Sequence, residues 1–263
     1  MNRKALFAFA SGSLMLIFCG CQNSDSQNGL SGNTTKQQTK QESLGVNNTG
    51  IAGLAGDEVM TAERQASISP QYVMQRLKDG NKRFVENSLT QRDHTAQIRK
   101  STKAQFPKAI ILGCVDSRVP VEDVFDLGLG DVFVARVAGN FANIDILGSM
   151  EYACKVAGSK LVLVLGHEHC GAVKSAIDGA EMGNITALLS NLAPALEITA
   201  NFNGDKSSKN PAYVQAVCQN NVRLTIDTIR DRSEILRQME ESGQILIVGG
   251  VYDLDTGAVK FLE

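Results

Sequence analysis

Three features of the sequence predict an α/β fold with a mostly parallel central sheet. Short, largely apolar runs recur at 108–115 (KAIILGCV), 131–137 (DVFVARV), 160–166 (KLVLVLG) and 244–252 (QILIVGGVY). Segments with helical spacing separate them. No run shows the apolar/polar alternation of a strand with one wet face, so the sheet is expected to be covered by helices on both sides.

The elements follow in order. Ser69-Pro70 places an N-cap residue before a proline suited to a first helical turn, and Val73, Leu77 and Phe84 carry a broken apolar stripe through Asn87. Lys108 to Val115 is the first strand, Pro120 starts a short helix, and Asp131 to Val137 is the second strand. Ile144 to Ala157 reads as a helix and Lys160 to Gly166 as the third strand. Cys170 to Asp178 and Ile185 to Ala200 read as helical, and Tyr213 to Glu241 as one long helix or two. Gln244 to Tyr252 is the fourth strand, and the turn Asp255-Thr256-Gly257 returns the chain as a hairpin strand over Ala258 to Phe261. The expectation is four strands plus a C-terminal hairpin strand, in a single domain over 67–263.

Composition narrows the function classes. The 263 residues are 43% hydrophobic and 21% charged, with 26 Lys and Arg against 28 Asp and Glu. These values exclude collagen-like, coiled-coil and wholly disordered chains. The near-neutral balance lacks the basic excess of a nucleic-acid binder.

The first residues read as an address. Arg3 and Lys4 precede an uncharged, largely apolar stretch from Ala5 to Cys19, too short to cross a bilayer comfortably. It ends Leu16-Ile17-Phe18-Cys19-Gly20-Cys21, which resembles a bacterial lipoprotein signal: residues 1–20 are removed and Cys21 is acylated. An ordinary cleaved signal and an uncleaved anchor are the alternatives. From Gln22 to about Ala66 the chain is rich in Gln, Asn, Ser, Thr and Gly, a composition that buries too little surface to offset chain entropy. Residues 21–66 are expected to tether the domain to a membrane, placing an exported protein in the periplasm or on the outer face of the cell membrane.

In open α/β sheets, sites gather at the carboxyl ends of the strands. Two of those ends carry metal-ligand chemistry. The first strand runs out as Gly113-Cys114-Val115-Asp116-Ser117-Arg118, and the third as Gly166-His167-Glu168-His169-Cys170-Gly171. Thiolate and imidazole are the ligands zinc prefers, and Cys114, His167 and Cys170 make a Cys2His set with one position open, the arrangement of a catalytic rather than a structural site. Asp116, two residues beyond Cys114, faces the same way in an extended chain and can fill or adjoin the open position. Arg118 can hold Asp116 as a bidentate ion pair.

Cys114-x-Asp116-Ser117-Arg118 followed by His167-x-x-Cys170-Gly171 resembles the beta-class carbonic anhydrases, and Val134-Ala-Arg136-Val-Ala-Gly139-Asn140 is similar to a further block of that family. The resemblance covers the chain from about Ser69 to the C-terminal hairpin. It implies one Zn2+ per subunit, held by Cys114, His167 and Cys170. It implies reversible hydration of carbon dioxide to bicarbonate and a proton by a zinc-bound hydroxide, oriented by the Asp116–Arg118 dyad. Asp116 as fourth zinc ligand would give an inactive state. Homodimers or higher homo-oligomers are implied, and the stripe from Pro70 to Phe84 is a candidate for embracing a partner. Gly171 can offer a backbone N–H to an oxyanion of the substrate. His169 and His94 are candidate proton shuttles. Hydrolysis of carbonyl sulfide or carbon disulfide on the same fold is the alternative reaction, and a zinc-binding lipoprotein without catalysis the alternative class.

The six cysteines then divide by task. Cys19 leaves with the signal, Cys21 carries the lipid, and Cys114 and Cys170 bind metal. Cys154 and Cys218 are either buried small residues or, after export, partners in a disulfide. Labelled palmitate should enter the wild-type protein in cells and be absent from Cys21→Ala; equal labelling of the variant would refute lipidation at this residue.

Overall fold

The computed structural model describes residues 58–262. The signal-like segment, Cys21 and the tether as far as residue 57 lie outside the described residues.

The folded domain begins earlier than 67. Thr61 caps a short helix, α1 (Ala62–Ser67), and Met60 and Ile68 on either side of it are buried. Gln65, itself buried, donates from Nε2 to the carbonyls of Pro107 (2.7 Å) and Ala157 (2.8 Å). A single amide thereby ties the last residues of the expected tether to the loops before two strands. Nothing in a polar composition distinguishes such a residue from its solvated neighbours.

Ser69 caps α2 (Pro70–Val85), its hydroxyl accepting from Tyr72 N–H at 3.1 Å. Val73 and Leu77 pack into the chain's own core. Gly80 lies so close to Phe125 that an added Cβ would stand 1.9 Å from the carbonyl oxygen. Val73 and Leu77 of the stripe thus pack on their own domain, the alternative to embracing a partner, while Tyr72, Met74 and Phe84 are only partly buried. Asp93 caps α3 (His94–Ser101), an element absent from the sequence reading because its eight residues carry one large apolar side chain, Ile98.

The sheet comprises β1 (Ala109–Gly113), β2 (Val132–Arg136), β3 (Leu161–His167), β4 (Leu246–Tyr252) and β5 (Val259–Leu262), in the order β2-β1-β3-β4-β5. The first four are parallel, and β5 runs antiparallel to β4, as the hairpin signal required. β1 and β3 are buried throughout, while β2, at the edge, is half-buried.

Side chains alternate across the sheet between two cores. Ile110, Leu112, Val162, Val164 and Ile247 face one; Ala109, Ile111, Leu161, Leu163 and Leu165 face the other. The second core is closed by α2 and α4 (Val121–Val124). The first is closed by α5 (Ile144–Glu151), which continues as a π-helical turn over Tyr152–Val156, and by two C-terminal helices.

After β3, α6 (Gly171–Ile177) is the helix expected over 170–178, while α7 (Gly183–Leu189), a 3-10 turn (Ser190–Leu192) and α8 (Ala193–Ile198) replace the expected continuous helix over 185–200. Pro194, in the first turn of α8, explains the break. The 213–241 stretch is two helices, α9 (Pro211–Arg232) and α10 (Glu234–Glu241). Ser233 separates them with extended backbone, and its hydroxyl accepts from Leu236 N–H while donating to Glu151 at 2.6 Å.

α9 approaches the sheet where glycines clear space. A Cβ on Gly166 would stand 2.7 Å from Val222 Cγ2 and 3.0 Å from Cys218 Sγ; one on Gly249 would stand 2.7 Å from Val222 Cγ1. The helical valine has essentially one χ1 rotamer and cannot swing away. Gly166→Ala should cost about 1–3 kcal/mol by overpacking, read as a lower urea midpoint at unchanged slope. A midpoint equal to wild type would show that α9 is free to retreat.

Candidate metal centre

The register of the sheet assembles the site. Gly113, the last residue of β1, pairs with Leu165 of β3 on one side and Arg136 of β2 on the other. Cys114 leaves its strand beside the end of β3, and His167 is the last residue of that strand. Cys170 is the N-cap of α6, three residues on. The ligand atoms of Cys114, His167 and Cys170 lie within 4.8 Å of one another, and all three residues are buried. The two sulfurs are 4.0 Å apart.

His167 shows what this cluster is built for. Its Nδ1 faces the Glu168 carbonyl at 2.8 Å, the geometry of a donated N–H, while Nε2 is buried without a hydrogen-bond partner. Leaving a buried polar group unsatisfied costs about 1–3 kcal/mol. A lone pair aimed at two sulfurs, in a ring whose other nitrogen is already fixed, is the arrangement of a metal ligand with its outer hydrogen bond in place. The donor set thus fits zinc: one neutral imidazole and two thiols that become thiolates on binding.

The two thiols titrate as a pair. The Cys170 S–H is the main support of the Cys114 thiolate, the His167 side chain and the backbone N–H groups of Gly139 and Asp116 add to it, and together they outweigh burial and bring Cys114 down to about 4. The Cys170 thiol is pushed up, first by its bond to Cys114, then by burial and the Cys114 charge. One negative charge forms readily in this pocket, and a second calls for a cation.

Asp116 stands beside the ligand set rather than in it, with Oδ2 3.8 Å from His167 Nε2. Arg118 grips both carboxylate oxygens, Nε to Oδ1 at 2.9 Å and Nη2 to Oδ2 at 2.7 Å, and its backbone N–H adds a third bond at 3.0 Å. These contacts, the Arg118 side chain foremost, hold Asp116 well below the usual carboxylate range. The carboxylate stays ionised and accepts hydrogen bonds only.

Gly171 opens α6 next to the ligand set, and a Cβ there would meet nothing within 4 Å. His169, in left-handed backbone (φ 51°), turns to Glu168 and Asp255 instead of the sulfurs. His94 is an exposed residue at the start of α3. Neither belongs to the Cys114–His167–Cys170 group. Cys154 and Cys218 are both free and buried, so no disulfide joins them, and burial pushes each thiol up to about 12.

Sequence reasoning gave no role to several residues that hold the site. Arg136 donates from Nε to the Cys114 carbonyl (2.7 Å) and from Nη2 to the Asp116 carbonyl (2.5 Å). It fastens the loop that carries one ligand and the carboxylate. Gly139 N–H reaches Cys114 Sγ at 3.4 Å from left-handed backbone (φ 83°), where an added Cβ would crowd Leu192 at 3.0 Å. The signal was present, since both lie in the block 134–140, but a motif does not say which atom bonds to which. Arg136→Met keeps the apolar stem and removes both donors. Zinc affinity should fall by roughly tenfold or more, measured by competition with a chromophoric chelator; wild-type affinity would show that the loop holds itself.

Comparison with known proteins agrees with this geometry. The carbonic anhydrase family model matches residues 109–259. A carbonic anhydrase from Mycolicibacterium smegmatis is 37% identical over 198 residues, covering 73% of this chain and 93% of that protein. The beta-carbonic anhydrase CcaA superposes with a TM-score of 0.59 at 22% identity, over 73% of this chain and 92% of that one. A structure from a study of two tetrameric beta-carbonic anhydrases of Sordaria macrospora superposes with a TM-score of 0.58 at 23% identity, over 73% and 95% of the two chains. With its family model and its 37% identical relative in agreement, the chain belongs to the carbonic anhydrase family, and its fold is that of the beta-class enzymes.

Proposed function

We propose that the protein catalyses the reversible hydration of carbon dioxide with zinc held by Cys114, His167 and Cys170, and that Asp116 and Arg118 form its catalytic dyad. The observation that carries this reading is the unpartnered Nε2 of His167, facing two buried sulfurs and, 3.8 Å away, a carboxylate locked by an arginine. A mere zinc-binding protein has no use for an acceptor poised beside its ligand set.

When bound, zinc supplies a Lewis acid that lowers the pKa of a coordinated water towards neutrality. The protein supplies the rest. Two thiolates balance the ion's charge, which leaves the metal less acidifying than one with neutral ligands only. Asp116 offsets this by accepting the hydrogen of the attacking solvent molecule, so that a lone pair faces the substrate carbon. Arg118 keeps the carboxylate ionised and stops it from swinging towards the ligand set. Leu189, Leu192 and Val173 share a buried apolar cluster with the two cysteines, which keeps water from that side of the ligand set.

Homo-oligomeric assembly belongs to the same reading. Among the described residues β2 is an edge strand, beside a groove of about 810 Å³ lined by Phe133, Ile144 and Tyr152. Ile144 is 73% exposed and Tyr152 52%. A second copy of the chain is the occupant we assign, in keeping with the tetrameric Sordaria relatives. Export and anchoring through Cys21 are also proposed, on the sequence of residues 1–21 alone.

The zinc-loaded protein should hydrate carbon dioxide in stopped-flow assays between pH 7 and 9, and absence of turnover across that range would refute the proposed activity. Asp116→Asn should keep its zinc and lose about 10²- to 10⁴-fold in kcat. Wild-type turnover in that variant would remove Asp116 from the mechanism.

A further inference from the structure

The helix α9 carries a run of buried polar side chains that core packing does not account for. Its inner face is otherwise apolar: Val214, Val217, Val222, Ile226 and Ile229 are all buried. Interleaved among them at i, i+3 and i+7 are Cys218, Asn221 and Thr225, each 3% exposed or less. Residues at this spacing share one stripe of a helix. An amide and a hydroxyl on a core-facing stripe are retained only if each finds a partner.

One partner belongs to a candidate ligand, His167, and the other two to the turn whose N–H is bonded to Cys114 Sγ. Cys218 Sγ donates to the carbonyl of His167 at 3.2 Å. Asn221 Nδ2 donates to the carbonyl of Gly139 at 2.7 Å, and Thr225 Oγ1 to that of Asn140 at 3.4 Å. His167 is itself a ligand, and the N–H of Gly139 is bonded to the sulfur of another, Cys114. Gly139 and Asn140 are consecutive residues in left-handed backbone (φ 83° and 43°), and both of their carbonyls are taken up by α9. The glycines at 166 and 249 let the helix come close enough for these short side chains to reach.

We propose that this stripe is the outer shell of the metal site, and that Asn221 is a positioning residue that sets the Gly139 N–H against Cys114 Sγ. The chain of contacts is Asn221 Nδ2 to Gly139 O, then Gly139 N–H to Cys114 Sγ, with Cys218 bracing His167 from one turn earlier on the same helix. The 2.7 Å bond to Gly139 holds the peptide whose neighbouring N–H draws electron density from the sulfur. Removing it lets that N–H drift, which makes the thiolate a stronger donor to the metal in a less ordered geometry. The proposal rests on the metal site described above, but its test does not depend on carbon dioxide turnover.

The test compares full-length wild-type protein with Asn221→Leu, which keeps the branched outline of the side chain and removes the donor. Cys218→Ala is a second, independent break in the stripe. Ile229→Val, on the same helix but in the sheet core, controls for lost stability alone. Zinc affinity is measured by chelator competition, and the thiolate-to-metal charge-transfer band is recorded after loading with Co2+. Asn221→Leu should lose roughly 10- to 100-fold in zinc affinity and shift the band. Cys218→Ala should lose affinity as well, whether or not Asn221→Leu folds, and Ile229→Val should match wild type in both readouts. Affinities within twofold of wild type and an unchanged band in Asn221→Leu and Cys218→Ala would overturn the proposal, since the stripe would then only satisfy buried carbonyls. Failure of wild type to bind zinc would overturn the metal site and this inference together. Wild-type binding with no turnover would sink only the proposed activity.

Discussion

The in-register parallel pairing of β1 with its two neighbours is the constraint on which the rest depends. Gly113 is in register with Leu165 and Arg136, so β1 and β2 end together and β3 runs on to His167. Every distance that matters in the site follows from that alignment. Cys114 comes off β1 beside His167, and Arg136 comes off β2 within reach of the carbonyls of Cys114 and Asp116. Slipping one strand by a single residue would turn its side chains to the opposite face and separate the ligands. Because β1 and β3 are buried on both faces, the two cores enforce this register, and stability and ligand geometry have the same origin.

Charge is the second theme. The pocket contains two thiols, an imidazole lone pair and a carboxylate, with one guanidinium engaged against the carboxylate. Hydrogen bonds support the Cys114 thiolate, and its charge discourages that of Cys170. Such a pocket could hold a cation. Its polar demands are met from outside the ligand set, by Arg136 on β2, by the left-handed turn at Gly139–Asn140, and by the polar stripe of α9. The scaffold therefore holds backbone carbonyls and amides around the ligands more than it touches the ligands themselves.

How much was legible in the sequence depended on whether a signal was local. Strand cores such as Ile110 to Leu112 and Leu161 to Leu165 were readable because continuous apolar runs leave few other options. Ser69-Pro70 marked a helix start through capping chemistry that needs only neighbouring residues. The sequence left one helix or two open over 213–241, since serine is tolerated within helices; the bonds of Ser233 to Leu236 N–H and Glu151 decide for two. Gln65 and Met60 were misplaced in a tether because their value lies in contacts far along the chain. The ligands and the Asp116–Arg118 pair were found from spacing. Asn221 and Cys218 were not, because a polar residue in an apolar helix has meaning only once its partner is known.

By itself, the sequence determined the class of fold, the order of its strands along the chain, the candidate metal-binding trio and the family, since each is written in runs or motifs a few residues long. Tertiary structure alone decided where the ligands meet, how Arg136 and Gly139 brace Cys114, that α2 packs on its own domain, and that α9 reaches the site at all. Those facts rest on residues 20 to 80 or more positions apart. Only packing brings such groups within hydrogen-bonding distance, and no local pattern encodes that approach.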